Sequence, residues 1–90
     1  MINLVWDTAF KRSYKKRISG DPFLKESFWD SIEDFTKKPF DSHLKTHKLT
    51  GKLNGLWAFS VAPDCRIIFK FLNDGKSALL IDIGSHDEVY

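Results

Sequence analysis

Between Leu56 and Ile83 the chain alternates apolar runs with short turn signals, and this stretch limits what the remainder can fold into. Leu56–Val61, Cys65–Leu72 and Ser77–Ile83 read as strands, separated by Ala62-Pro63-Asp64 and by Asn73-Asp74-Gly75-Lys76. Connections this short cannot carry a chain back to the opposite end of a sheet, so the three strands form an antiparallel meander. Side chains alternate along the central strand. Cys65, Ile67, Phe69 and Phe71 share one face, and Arg66, Ile68, Lys70 and Leu72 share the other. The wholly apolar face needs a cover, while the face with Arg66 and Lys70 is expected to stay open, with Ser60 and Asp82 as neighbours on the flanking strands.

The cover comes from upstream. Ile2, Leu4 and Trp6 alternate as in a short first strand. Asp7 is a capping residue for a helix in which Phe10, Tyr14 and Ile18 recur every four residues, with Gly20 just past its end. Asp21-Pro22 repeats the start signal, and Leu24, Phe28, Ile32 and Phe35 stripe a second helix from Pro22 to about Lys37, stopped by Pro39. Trp29 falls off that stripe and reads as a rim residue. The expected fold is α+β: two N-terminal helices packed on one face of a small, mainly antiparallel four-stranded sheet, in the order β-α-α-β-β-β, with residues 1–90 forming one domain.

Composition agrees with a packed globule, since 42% of the 90 residues are hydrophobic and eight are Phe, which excludes a disordered segment. No stretch approaches the roughly 20 apolar residues of a membrane span, and Met1 to Phe10 lacks the pattern of a signal peptide. A single cysteine, Cys65, cannot form an intramolecular disulfide, which fits a reducing, cytoplasmic setting. The net charge is only +2, but Lys11, Arg12, Lys15, Lys16 and Arg17 crowd one segment, and Lys37, Lys38, Lys45, Lys48 and Lys52 another. Two such segments are either solvated faces or a surface for a polyanion.

Phe40 to Asn54 shows no period and is expected to be a long loop, pinned to the body by Leu44, Leu49 and Leu53. From this loop His47, from the turn Asp64, from the central strand Arg66, and from the tail His86 and Tyr90 can converge on the open face. These residue types suit RNA cleavage by internal attack. A base takes the proton of a ribose 2′-hydroxyl, a cation offsets charge developing on phosphorus, and an acid protonates the departing 5′-oxygen. Histidines titrate near neutral pH, arginine grips phosphate with two donors, and an aromatic ring stacks on an exposed base. Each residue also has a plain structural use: His47 in a solvated loop, Arg66 paired with Asp64 or Asp82, Asp64 as a turn former, Tyr90 packing the chain end. His43 and His47 lie four apart, but the segment is not helical in pattern and carries no H-E-x-x-H, so no metal or cofactor is expected. No glycine-rich phosphate loop and no G-x-S-x-G elbow appear, which argues against a serine or cysteine hydrolase.

Lys45-Thr46-His47-Lys48-Leu49, Ala62-Pro63-Asp64, Cys65-Arg66-Ile67-Ile68-Phe69-Lys70 and Ile83-Gly84-Ser85-His86 followed by Tyr90, in this order and spacing, resemble the RelE/ParE superfamily of bacterial toxins, and within it the RelE/YafQ type of messenger-RNA interferase. The resemblance spans nearly the whole chain. It implies a ribosome-dependent endoribonuclease of a type II toxin-antitoxin system, partnered by a cognate antitoxin, the ribosome and mRNA. It assigns His47, Asp64, His86 and Tyr90 to a YafQ-like active site, Arg66 to the scissile phosphate, and Lys45, Lys48, Lys52 and Lys70 to RNA or ribosome contacts. YafQ-like toxins often carry a further histidine where Ser60 stands here, and RelE uses lysines and arginines in place of the histidines. Two other readings stay open: a ParE-like toxin that inhibits DNA gyrase, and an inactive member that only binds an antitoxin.

Overall fold

The computed structural model describes residues 1–85 and Val89. The elements are β1 (Asn3–Trp6), α1 (Thr8–Arg17), α2 (Pro22–Lys37), β2 (His47–Lys48), β3 (Trp57–Ala62), β4 (Cys65–Leu72) and β5 (Ser77–Gly84). Short 3-10 turns occupy Ser42–Leu44, Gly51–Leu53 and Asn73–Gly75. The sheet runs β1-β5-β4-β3-β2, with β1 parallel to β5 and every other pair antiparallel. The architecture is α+β with both helices on one face, as expected, but the sheet has five strands rather than four. The additional strand is the two-residue β2, which pairs His47 with Ala58 and Lys48 with Trp57. Two residues are too few to display an alternating pattern, so only the edge of β3 defines this strand.

Both helices begin where a carboxylate satisfies an orphan amide. Asp7 Oδ1 accepts from the Phe10 N–H at 2.7 Å, and Asp21 Oδ1 from the Leu24 N–H at 3.1 Å. The stripes they present fill the core: Phe10, Ile18, Phe28 and Phe35 are fully buried against Phe59, Ile67, Phe69 and Leu80 of the sheet. Phe35 stacks on Phe59 with ring centroids 4.4 Å apart and meets Phe69 edge-on at 4.8 Å. Trp29 is a rim residue, stacked on Trp6 at 5.8 Å, and its indole N–H donates to the Tyr14 hydroxyl at 3.1 Å.

The face of β4 away from the helices is less open than its sequence implies. Ile68 joins Leu49 and Ala58 in a second buried cluster, with Leu53, Leu56, Ile81 and Val89 packed around it. The loop leucines thus anchor as expected, Leu44 beneath the helices and Leu49 with Leu53 on the other face. They also cover the centre of that face, because a face bearing Ile68 beside Ala58 gains by excluding water. Asp82 departs from expectation as well. It pairs opposite Ile68, not Arg66, and its carboxylate accepts from the Ser13 hydroxyl of α1 at 2.9 Å and from the Ile83 N–H at 2.8 Å. The register shift on β5 between the partners of Ile68 and Phe69 re-aims this segment.

The β4–β5 hairpin turns through Asn73 (φ 52°), Asp74 (φ 56°) and Gly75 (φ 85°). Asn and Asp tolerate left-handed backbone better than other side chains, and a turn of this hand matches the twist of the strands it joins. Phe35 is fully buried among four aromatic rings counting itself, so Phe35→Ala is expected to lower stability by about 3–5 kcal/mol, read as a drop in the urea midpoint at unchanged slope.

Candidate active site

Strand pairing decides which polar side chains meet. Residues directly opposite one another share a face, so His47, Ala58 and Ile68 form one row across the sheet, and Ser60, Arg66 and Gly84 form another two residues along β4. His47 and Arg66 therefore belong to the same face, two strands apart. Standard strand spacings put their Cα atoms roughly 12 Å from each other. Arg66 has Ser60 on one flank and Gly84, with no side chain, on the other. A bulge between Ser60 and Ala62 adjoins this row, and the Ser60 hydroxyl donates to the Ala62 carbonyl across it at 3.1 Å.

His47 is exposed and oriented by its own loop: its Nδ1 lies 2.8 Å from the Lys45 carbonyl. A carbonyl only accepts, so Nδ1 donates in this contact. Lys45 holds a left-handed backbone (φ 53°) at the end of the Ser42–Leu44 turn, which brings that carbonyl round to the ring. The Thr46 hydroxyl donates to the Pro39 carbonyl and closes the base of the loop. His43, which had no assigned role, is the clasp of this loop. Its Nδ1 meets Asp41 Oδ1 at 2.7 Å and its Nε2 meets Asp34 Oδ2 of α2 at 2.9 Å. The hydrogen bond to Asp41, reinforced by Asp34, raises the His43 pKa above its ordinary value, and the same contact lowers that of Asp41.

The other predicted residues are dispersed more than their sequence spacing implies. Asp64 is exposed in the turn and lines a cavity of about 340 Å³ with Lys16, Arg17, Leu24, Cys65, Gly84 and Ser85, apart from His47. His47 instead lines a cavity of about 430 Å³ with Lys48, Leu49, Thr50, Lys52 and Leu53. Lys48 alternates to the opposite face from His47, and its ammonium lies 5.4 Å from the Trp57 ring centre. Lys70 is exposed on the Arg66 face but beyond Ile68, roughly 14 Å along the strand by standard rise. His86 and Tyr90 lie outside the described residues. Val89 does not: its N–H donates to the Ser85 carbonyl at 3.1 Å and its side chain packs on the Ile68 cluster, on the face that carries Arg66. Burial raises the pKa of the Cys65 thiol, in keeping with a structural role beneath the helices. Lys16 and Arg17 were recognisable beforehand only as part of a basic run. Their place beside Asp64 depends on how α1 packs along β5. Among the described residues no group of three or more His, Cys, Asp or Glu side chains could hold a metal ion, and no helix is long and apolar enough to cross a membrane.

This arrangement, two helices on one face of a mixed five-stranded sheet, recurs in solved bacterial toxins. A copper-bound mutant toxin from Helicobacter pylori superposes with a TM-score of 0.80 at 24% identity, covering 100% of both chains. YafQ from E. coli strain BL21(DE3) gives 0.70 at 19%, covering 100% of this chain and 99% of that one. The toxin-antitoxin complex RelBE2 from Mycobacterium tuberculosis gives 0.74 at 12%, covering 94% and 98%. No curated protein sequence matches the chain. Residues 2–90 match the family described as the bacterial toxin of type II toxin-antitoxin system, YafQ, and the chain belongs to that family.

The His43 clasp has a defined pH signature. A group whose folded pKa is raised contributes stability that is fully present below its unfolded pKa, near 6.5, and is lost as pH rises through the folded value. His43→Gln is therefore expected to destabilise the protein most at acidic pH, with the gap to wild type narrowing as pH rises above neutrality. Urea titrations across pH measure it, and Asp41→Asn is expected to return the His43 midpoint in NMR titration towards its ordinary value.

Proposed function

We propose that the protein is the toxin of a type II toxin-antitoxin module and acts as a ribosome-dependent endoribonuclease on translated mRNA. The observation that carries this reading is Arg66 on the same sheet face as His47, in a chain of the YafQ family. In the proposed reaction His47 Nε2 removes the proton of the 2′-hydroxyl, and that oxygen attacks the adjacent phosphorus. Arg66 offsets the charge on the non-bridging oxygens, and the 5′-oxygen leaves with a proton from His86. The products are a 2′,3′-cyclic phosphate and a free 5′-hydroxyl, with no net change in protons. Asp64 at the turn offers an acceptor for ribose hydroxyls, Tyr90 a ring for a base, and Lys45, Lys48, Lys52 and Lys70 positive charge towards ribosomal or messenger RNA.

The likeness to the toxin-antitoxin complex RelBE2 supports a protein antitoxin as the partner in a cytoplasmic setting. Expression of the chain alone is expected to arrest growth and to leave discrete 5′ ends in mRNA, mapped by primer extension. Arg66→Ala and His86→Ala are each expected to reduce cleavage on programmed ribosomes by about 10²–10³-fold while leaving the thermal midpoint close to wild type. Growth arrest with DNA breaks and intact mRNA would overturn the nuclease reading in favour of gyrase inhibition.

A further inference from the structure

The cavity at the Pro63–Asp64 end of the sheet draws groups from four elements. Lys16 and Arg17 come from the last turn of α1, Leu24 from the first turn of α2, Asp64 and Cys65 from the start of β4, and Gly84 with Ser85 from the end of β5. Lys15, Lys16 and Arg17 complement the negative end of the α1 dipole, which accounts for basic residues at a helix C-terminus. It does not account for two of them sharing a cavity with a carboxylate and a serine, two residues from Arg66. A bare anion in that cavity would meet Asp64 unfavourably. A ligand carrying both phosphates and hydroxyls would not, because the hydroxyl donates to the carboxylate while the phosphate takes the cations.

We infer that this cavity is a second backbone subsite for RNA, in which Lys16 and Arg17 hold the phosphate next to the one at Arg66 and Asp64 accepts from a ribose 2′-hydroxyl. The messenger then runs from Arg66 over the Pro63–Asp64 turn towards α1, away from Lys70 and from the Trp57 face where Lys48 lies. The inference rests on the nuclease reading and adds the direction of the strand and the means by which ribose is told from deoxyribose.

The test uses the purified protein and ribosomes programmed with a defined mRNA, with affinity and cleavage at saturation measured separately across a salt series. Lys16→Gln/Arg17→Gln is expected to weaken association roughly 10- to 30-fold near 0.1 M salt and to make the logarithmic salt slope shallower by about 1.4, two single-strand phosphate contacts' worth. Cleavage positions stay the same, and the rate at saturation changes little. Because Arg17 already has an interaction within the protein, Lys16→Gln alone, at an exposed position, is expected to show about half the change in slope. Lys25→Gln/Lys76→Gln, which removes the same charge elsewhere, is expected to leave the slope near wild type. If the Lys16 and Arg17 variants match that control while Arg66→Ala still abolishes cleavage, the subsite is wrong and the nuclease reading stands. If wild-type protein neither binds nor cuts on ribosomes, both fail together.

Discussion

On β4, Cys65, Ile67 and Phe69 are held against the helices while Arg66, Ile68 and Lys70 emerge on the other side, and pairing with β3 and β5 on either flank fixes that register. The period of a strand is two, so a slip of one residue would drive Arg66 under α2 and expose Phe69 to water. Burying an unpaired guanidinium and exposing a phenyl ring both oppose the slip. The same register that closes the core therefore sets Arg66 between Ser60 and Gly84. Core and site are two consequences of one alternation, and a change that loosens the first displaces the second.

The sheet is two-sided, and its second face is divided. Its centre is a small apolar cluster made by Ala58 and Ile68 with the loop residues Leu49 and Leu53 and, from beyond β5, Val89. That cluster holds the His47 loop down and takes Val89 onto the same face. Around it, polar groups occupy separate margins: His47 with Lys52 on one side, Arg66 and the Asp64 turn at the end. His43 adds a polar fastening between the loop and α2, exposed to solvent and so of modest strength, but geometrically well placed to set the loop's approach.

Two local irregularities adjust this regular frame. The bulge on β3 between Ser60 and Ala62 adjoins Arg66, and the shift on β5 turns Asp82 towards Ser13. The Ser13 hydroxyl and the Ile83 N–H together satisfy the Asp82 carboxylate. The basic turn of α1 is brought to the same end of the sheet, so charges of a sign useful to a polyanion gather where the strand irregularities open the surface.

Much of this was legible in the linear chain. Asp7 and Asp21 marked helix starts because capping chemistry is local, the stripe Leu24, Phe28, Ile32 and Phe35 marked a buried face because helical periodicity is local, and Pro63-Asp64 and Asn73-Asp74-Gly75 marked hairpins because backbone conformation is local. The candidates His47, Asp64 and Arg66 followed from residue chemistry, and His86 and Tyr90 from their place after a strand. What the sequence could not settle depends on contacts between distant segments. The two-residue β2 exists only through the edge of β3, the cover over Ile68 only through Leu49 and Val89, and the turn of Asp82 only through Ser13. Strand alternation turns Lys48 towards Trp57, and packing sets Lys16 and Arg17, whose basic run alone read as either a solvated face or a surface for a polyanion, beside Asp64. Local physics determined the elements and the chemical groups they carry, and tertiary packing decided which of those groups meet.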